Sequence, residues 1–127
     1  MSYFINLYEK LREMQTDPST ASDPIKRMFL YDGQYLTANL GTIAESGNAL
    51  HTQPVHDEIV VILEGEADFR VGDEVRHVGP GDLVFIPRNT LHGPILREGG
   101  KFAALSVYAP FFYRFKKNIE WDREKES

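Results

Sequence analysis

Short apolar runs separated by turn-forming residues make up most of this chain. Strands bounded in this way by glycine, proline, asparagine or aspartate are typical of a β-sandwich or a β-barrel. Gly72 and Asp73 lie between two such runs and are expected at the tip of a tight hairpin. Two further turns are expected at residues 79–81 and 99–100. We therefore predict an all-β fold with strands over residues 27–31, 35–43, 58–64, 67–71, 75–78, 83–86 and 102–108.

An amphipathic helix is predicted before the strands. Its apolar residues recur at the spacing of one helix face, with charged residues between them, and Ser2 is the expected N-cap. We expect residues 1–22 to form this helix and a linker, residues 23–115 a single barrel, and residues 116–127 a C-terminal tail. The apolar helix positions are Phe4, Leu7, Tyr8, Leu11 and Met14.

Two apolar stretches indicate surfaces that are covered. Residues 59–63 are apolar without alternation, which indicates a strand buried on both faces. One face would line the barrel, and the other would meet a second sheet, the N-terminal helix or another subunit, so we expect a homodimer. Residues 110–115 are unusually aromatic and are expected to pack on the domain or to cover the barrel mouth.

Length, charge and composition exclude several classes of protein. A chain of 127 residues suffices for one hydrophobic core, and the net charge of −5 disfavours a general nucleic-acid-binding protein. No apolar run is long enough to span a bilayer and no signal peptide is recognisable, so we expect a cytoplasmic protein without a membrane partner. Because the chain has no cysteine, any metal must be bound by imidazole, carboxylate, amide or water.

Histidines and a carboxylate lie beside the predicted strands. His51 and Gln53 are two residues apart and share a face if the backbone is extended, and the same holds for His56 and Glu58. His92 follows a second turn-bounded strand about thirty residues later. Two distant segments therefore carry the residue types that bind a metal without cysteine.

The first of these segments resembles the first motif of the cupin superfamily. That motif is Gly, five residues, His-x-His, three or four residues, Glu, six residues, Gly. Here His51 supplies the first histidine, four residues separate Gln53 from Glu58, and six separate Glu58 from Gly65. Gly47 precedes His51 with three intervening residues instead of five. The main departure is Gln53, which stands where the family usually has its second histidine ligand.

The second segment resembles the second cupin motif, which is Gly, five residues, Pro-x-Gly, two residues, His. It is matched by Gly81, Pro87, Asn89 and His92. Asn89 replaces the glycine, but asparagine tolerates a positive φ better than most residues, so we expect the same turn. The resemblance implies a jelly roll, that is, a double-stranded β-barrel.

The resemblance also implies a metal site. His51, residue 53, Glu58 and His92 would converge on one divalent ion (Fe, Mn, Ni or Zn) inside the barrel. Gln53 could serve as a ligand through its amide oxygen, which would favour oxygen-preferring ions such as Mn²⁺ or Fe²⁺. His56 could instead supply a third imidazole, and the sequence leaves both alternatives open.

Proteins with this resemblance include dioxygenases, isomerases, decarboxylases, lyases and ligand sensors. We therefore expect a metal-dependent enzyme of the dioxygenase or the isomerase and lyase type, acting on a small organic molecule. The alternatives are a non-catalytic module that binds or senses a metal or small ligand, and a metal-free barrel. Arg88, Tyr108 and Arg27 are candidate ligand-binding residues, and an arginine in the pocket would indicate an anionic ligand. His77 is expected in solvent.

Overall fold

The structure is a computed structural model that describes residues 2–44, 47–48, 50–97, 99–111 and 120–121. Within these residues the chain forms one α-helix, a single 3₁₀ turn and a series of β-strands. The elements are α1 (Leu7–Thr16), β1 (Ile25–Asp32), β2 (Thr37–Ile43), β3 (Gly47–Asn48), β4 (His51–Thr52), β5 (Asp57–Glu64), β6 (Ala67–Val71), β7 (Glu74–Val78), β8 (Leu83–Ile86), β9 (His92–Leu96), β10 (Phe102–Ala109) and β11 (Glu120–Trp121).

The strands form two antiparallel sheets. The first sheet has the order β1-β2-β10-β5-β8, and the second has the order β11-β4-β9-β6-β7, with β3 also paired to β9. Sequence neighbours such as β5 and β6 lie in different sheets, so the chain crosses repeatedly between the two layers. This arrangement confirms the predicted all-β jelly roll with a short N-terminal helix.

The inner faces of the two sheets enclose the main hydrophobic core. Alternate residues of each strand point inwards, so Val60 and Ile62 of β5 meet Phe69 of β6. The rings of Phe69 and Phe102, one from each sheet, have centroids 6.4 Å apart. The core therefore joins the two sheets, and several of its residues also line the cavity inside the barrel.

The helix α1 covers the outer face of the first sheet. Leu11 and Met14 are buried against Leu40, Leu63 and Ala103. The strand over residues 59–63 is therefore covered on both faces over most of its length, as predicted. Ile59 is the exception, because 38 % of it remains exposed.

The helix begins later than the sequence pattern indicated. Its N-cap is Asn6, whose side-chain oxygen accepts a hydrogen bond from the Glu9 amide at 3.0 Å. The expectation for Ser2 was wrong, because Ser2 bonds instead to Phe4 in the extended segment before the helix. Asparagine is as favourable an N-cap as serine, so residue type alone does not distinguish Asn6 from Ser2. The cap is Asn6 because it immediately precedes the first helical residue, Leu7.

Most predicted strands and turns are confirmed, and the differences lie at short elements. The hairpin at Gly72 and Asp73 joins β6 and β7, with Val71 paired to Glu74. The strands β3, β4, β9 and β11 were not predicted: three have two residues each, and β9 contains Gly93 and Pro94. The tail expected at residues 116–127 includes β11, which pairs with β4. The other tail residues, and most of the aromatic stretch at residues 110–115, lie outside the described residues.

Candidate metal centre

Two histidines from adjacent strands of the second sheet face each other in the barrel. His51 of β4 is the register partner of His92 of β9. Their ring centroids are 4.2 Å apart. His92 is 2 % exposed and His51 is half-buried, so both imidazoles lie within the wall of the barrel.

A carboxylate from the first sheet completes a group of three. Glu58 of β5 is 5 % exposed, and its Oε1 lies 3.1 Å from Nε2 of His92. The ligand atoms of His51, Glu58 and His92 all lie within 4.8 Å of one another. This spacing would allow the three side chains to contact one ion.

The second nitrogen of His92 fixes how its ring is protonated. Nδ1 lies 2.8 Å from the carbonyl oxygen of Thr90, which can only accept, so Nδ1 carries a proton. In neutral His92, the lone pair of Nε2 therefore faces the carboxylate of Glu58. Two acceptors at this distance need a cation, or a second proton on the imidazole, to hold them together. Metal-binding histidines commonly donate the other ring N–H to a carbonyl in this way.

Gln53 lies directly beside this group. It is 2 % exposed, and its Nε2 donates to Oε1 of Glu58 at 2.9 Å. Its own Oε1 is buried and accepts no hydrogen bond from the described residues. A buried amide oxygen without a donor is costly, and a cation or a bound water would satisfy it. The donor set of two imidazoles and a carboxylate from His51, His92 and Glu58 fits a divalent ion.

His56 is buried but is directed elsewhere. Its Nδ1 donates to the carbonyl oxygen of Pro110 at 2.9 Å, and its ring packs edge-on against Tyr108 with centroids 5.7 Å apart. Among the described residues, the group with metal-binding spacing does not include it. The structure thus places Gln53 in contact with Glu58, and His56 in contact with Pro110, just after the end of β10.

The three-residue group lies at the wall of a cavity of about 90 Å³ inside the barrel. The other polar residues that line it are Lys26, Arg27, Asn39, Thr42, Ser106 and Tyr108. Burial raises the pKa of Tyr108 to about 12, and Glu58 adds to this effect. Arg27, Asn39 and Ser106 act in the opposite direction. The Tyr108 phenol therefore stays protonated near neutral pH and can donate a hydrogen bond. The apolar part of the wall includes Val60, Phe69, Phe102 and Ala104.

The turn before His92 has the predicted conformation. Asn89 has a φ of 62°, the left-handed value expected where asparagine replaces the motif's glycine. The backbone N–H of Asn89 donates to the backbone carbonyl oxygen of Gln53 at 3.0 Å. This hydrogen bond joins the turn of the second motif to the segment of the first motif. Arg88 is exposed and its backbone amide donates to Asp57, and it is not among the residues that line the cavity.

Of the arginines considered from the sequence, Arg27 lines the cavity. Asn39 and Ser106 also line the cavity, but they were not predicted from the sequence. The sequence does not show whether a single polar residue within an apolar strand points into the barrel or out to solvent. His77 is in solvent as predicted, with 60 % of its side chain exposed. Its ring lies 3.2 Å from both Glu66 and Asp68, and these carboxylates, Glu66 foremost, raise its pKa.

Comparison with known proteins agrees with this architecture. No curated protein sequence is significantly similar to the chain. A Klebsiella pneumoniae protein with a double-stranded β-helix domain has a TM-score of 0.69 at 20 % identity, covering 95 % of this chain and 97 % of that one. KdgF from a Halomonas species has a TM-score of 0.66 at 23 % identity, covering 88 % and 96 %. The DMSP lyase DddQ from Ruegeria pomeroyi has a TM-score of 0.62 at 24 % identity, covering 85 % and 56 %.

The family itself is established by sequence. The Cupin domain family model matches residues 41–108, which is more than half of the chain and includes both motifs and the three-residue group. Among the described residues, no helix is long and apolar enough to cross a membrane. The chain belongs to the cupin family.

Proposed function

We propose that this cupin is a metal-dependent enzyme that acts on a small organic molecule. His51, Glu58, His92 and the amide oxygen of Gln53 would hold one divalent ion. The observation that carries the proposal is the contact between His92 Nε2 and Glu58 Oε1 at 3.1 Å, with Nδ1 already committed to the Thr90 carbonyl. In neutral His92, two electron-pair donors then face each other in a buried site, which is the arrangement that a cation stabilises.

Gln53 is the better candidate for the fourth protein ligand. Its buried Oε1 lacks a donor among the described residues and its side chain contacts Glu58, whereas His56 is not part of the group with metal-ligand spacing among those residues. A second oxygen ligand would suit oxygen-preferring ions such as Mn²⁺ or Fe²⁺ better than a third imidazole would. In this assignment His56 is a structural residue that anchors the end of β10.

The chain's own residues would bind and orient the substrate. When bound, the ion would supply Lewis-acid polarisation of a carbonyl or enolate oxygen. Tyr108 is protonated and buried, so its phenol can donate a hydrogen bond to an oxygen of the substrate. The apolar walls formed by Val60, Phe69 and Phe102 limit water in the cavity, which strengthens these polar contacts.

We favour redox-neutral chemistry of the lyase or isomerase type over a dioxygenase. Two of the structurally similar proteins are named as a lyase and as a polyketide cyclase, although identities of 24 % and 20 % support the fold alone. Oxygen consumption by the Fe²⁺-loaded protein with a panel of candidate substrates separates the two. Turnover without oxygen uptake supports our choice, and stoichiometric uptake contradicts it.

The metal assignment is tested by a matched pair of histidine variants. His92→Ala should lower the affinity for Mn²⁺ by at least about 100-fold, because it removes a ligand. His77→Ala should leave it unchanged, because His77 is exposed on β7. Equal affinities in the two variants would refute the site. A tag-free protein with less than about a tenth of an equivalent of metal, even after loading, would refute it independently.

A metal-loaded protein that binds ligands without converting any of them would favour the alternative, a non-catalytic binding module. Turnover assays decide between the two.

We also propose that the chain forms a homodimer through the outer face of β5 and β8. The register pairs Ile59 with Phe85 and Val61 with Leu83, so these side chains share the outer face of the first sheet. Ile59, Leu83 and Phe85 are 38, 61 and 59 % exposed. They lie beyond the part of that face that α1 covers, and a second copy would bury them.

A further inference from the structure

We propose that residues 2–5 form an arm that docks on the outer face of β5 and β8 of a second copy of this chain. This inference rests on the proposed homodimer, because it names the segment that would complete its interface. It is carried by the exposure of the arm, by its position beside that face, and by the area that the arm and the face offer together.

The arm is apolar, uncharged and uncovered. None of its four residues carries an ionised side chain. Tyr3 and Phe4 are 92 and 88 % exposed, so their rings make almost no contact with the rest of their own chain. Burial of an aromatic ring is strongly favourable, so two adjacent rings left in water indicate a site of interaction. The arm therefore has apolar surface to bury, and its own copy does not bury it.

The cap of α1 sets the direction of the arm. Asn6, the N-cap, has a φ of −90° and a ψ of 114°, which is extended backbone, so the arm does not continue the helix. Within the arm, the backbone N–H of Phe4 donates to Oγ of Ser2 at 3.1 Å. The arm is therefore partly ordered by its own hydrogen bond and by the cap, and docking has less chain entropy to remove.

The arm leaves its own copy close to the exposed face. Tyr8, in the first turn of α1, donates from its hydroxyl to the Leu63 carbonyl oxygen at 3.3 Å, which fixes the start of the helix beside β5. Two residues before Leu63, or about 7 Å along the strand, Val61 pairs with Leu83 of β8. A two-fold axis near this face would bring the arm of each copy onto the face of its partner.

The areas of the two surfaces explain why both would be needed. Ile59, Leu83 and Phe85 are 38, 61 and 59 % exposed. At on the order of 100 Å² each, they offer about 300 Å² per copy, whereas a specific interface buries about 600–1,000 Å² per partner. Tyr3 and Phe4 add roughly 300–450 Å², since an aromatic side chain buries about 150–250 Å². The face and the arm together therefore reach about 600–750 Å², which is the lower end of the range for a specific interface.

A second copy is favoured over other occupants because one chain carries both halves of the contact. The arm and the three face residues are uncharged, so their contact leaves no charge buried without a partner. A two-fold arrangement would bury two arms and two faces at once and leave neither surface in water.

Sedimentation of the full chain tests the arm. The double variant Tyr3→Ser/Phe4→Ser should weaken dimer association by at least about tenfold, because it removes most of the apolar area of the arm. Tyr35→Ser is the matched control. Tyr35 is 75 % exposed and lies between β1 and β2, at the edge of the sheet opposite β8, so its loss should change association by less than about twofold. Equal association of the two variants would overturn the proposal.

A mixture of two variants separates an exchanged arm from a local effect. Tyr3→Ser/Phe4→Ser keeps the face and lacks the arm rings, whereas Phe85→Glu keeps the arm and has a charged face. In a mixed dimer, the intact arm of one copy would meet the intact face of the other, a pairing that neither homodimer contains. The mixture should therefore associate at a total concentration at which each variant alone is monomeric. No gain in the mixture would contradict exchange between copies.

The outcomes separate the arm from the dimer and from the metal site. If the wild type and Tyr3→Ser/Phe4→Ser dimerise equally well, the homodimer stands and the arm is wrong. A wild type that is monomeric at micromolar concentration removes both. A monomer that binds neutral lipid vesicles through Tyr3 and Phe4 would assign the arm to a membrane and also overturn the proposal. Mn²⁺ affinity should be the same in these variants as in the wild type, because none of the changed residues belongs to the three-residue group, so the metal assignment is judged separately.

Discussion

Replacing Gly41 by alanine or valine is expected to stabilise the fold while it closes the cavity. Gly41 lies between Asn39 and Ile43 on β2, and alternation along the strand directs position 41 to the inner face with them. A Cβ at Gly41 would have the Lys26 carbonyl oxygen at 3.8 Å as its nearest neighbour, which is ordinary contact. Its φ is not in the left-handed region, so a side chain causes no backbone strain.

The magnitude follows from the cavity. Empty volume costs about 24 cal/mol per Å³ in mutational series, so filling about 90 Å³ completely could add at most about 2 kcal/mol to the free energy of unfolding. Polar walls reduce this gain. We expect about 0.5–1 kcal/mol for Gly41→Ala, which includes the lower chain entropy of the unfolded state, and about 1–2 kcal/mol for Gly41→Val.

Urea denaturation of metal-free protein measures the stability change, with an unchanged m-value as a check on two-state behaviour. Gly65→Ala is the matched control, because its φ is 83° and its Cβ would overlap the Lys101 carbonyl oxygen. It should lose about 1–3 kcal/mol. A Gly41→Ala protein destabilised as much as Gly65→Ala would show that position 41 does not face open space.

Three further predictions address the ligand set, pH dependence and assembly. Gln53→Ala should weaken Mn²⁺ binding by about tenfold or more, whereas His56→Ala should mainly lower the melting temperature; the reverse pattern in a metal titration would make His56 the ligand. Glu66 raises the pKa of His77 in the folded state, so this contact stabilises the fold below the unfolded pKa of about 6.5 and is lost as pH rises through the folded pKa. His77→Ala should therefore reduce stability more at about pH 5.5 than at about pH 8.5 in denaturant titrations, and an equal loss at both would contradict the ion pair. Phe85→Glu should convert a sedimenting dimer to a monomer, and a wild type that sediments as a monomer at micromolar concentration would remove the dimer proposal.

The sequence was sufficient for the fold and for the residues of the three-residue group. The two motifs placed His51, Glu58 and His92, and the chemistry of asparagine predicted the positive φ at Asn89. These inferences succeeded because a motif encodes turns and spacing that local backbone rules determine. The metal itself stays a prediction.

Which of the other polar residues line the cavity could not be predicted, because the direction of a side chain depends on strand register. From the sequence, Arg27 and Arg88 were equally good candidates for the cavity, but of the two Arg27 lines it. The pairing of Arg27 with Gly41 places both residues on the same face of the sheet, and both line the cavity. The register between β1 and β2 also shifts between Phe29 and Tyr31, which local alternation does not reveal. Whether Gln53 or His56 points to Glu58 likewise depends on where β5 begins, at Asp57.

The group at the barrel wall takes Glu58 from one sheet and both histidines from the other. A bound ion would therefore act as a non-covalent cross-link between the two layers, beside the part of the hydrophobic core that lines the cavity. By mass action, a free metal concentration a thousandfold above the dissociation constant would add about 4 kcal/mol to the free energy of unfolding. Metal supply would then govern how long the folded protein survives, as well as whether its cavity is competent for chemistry.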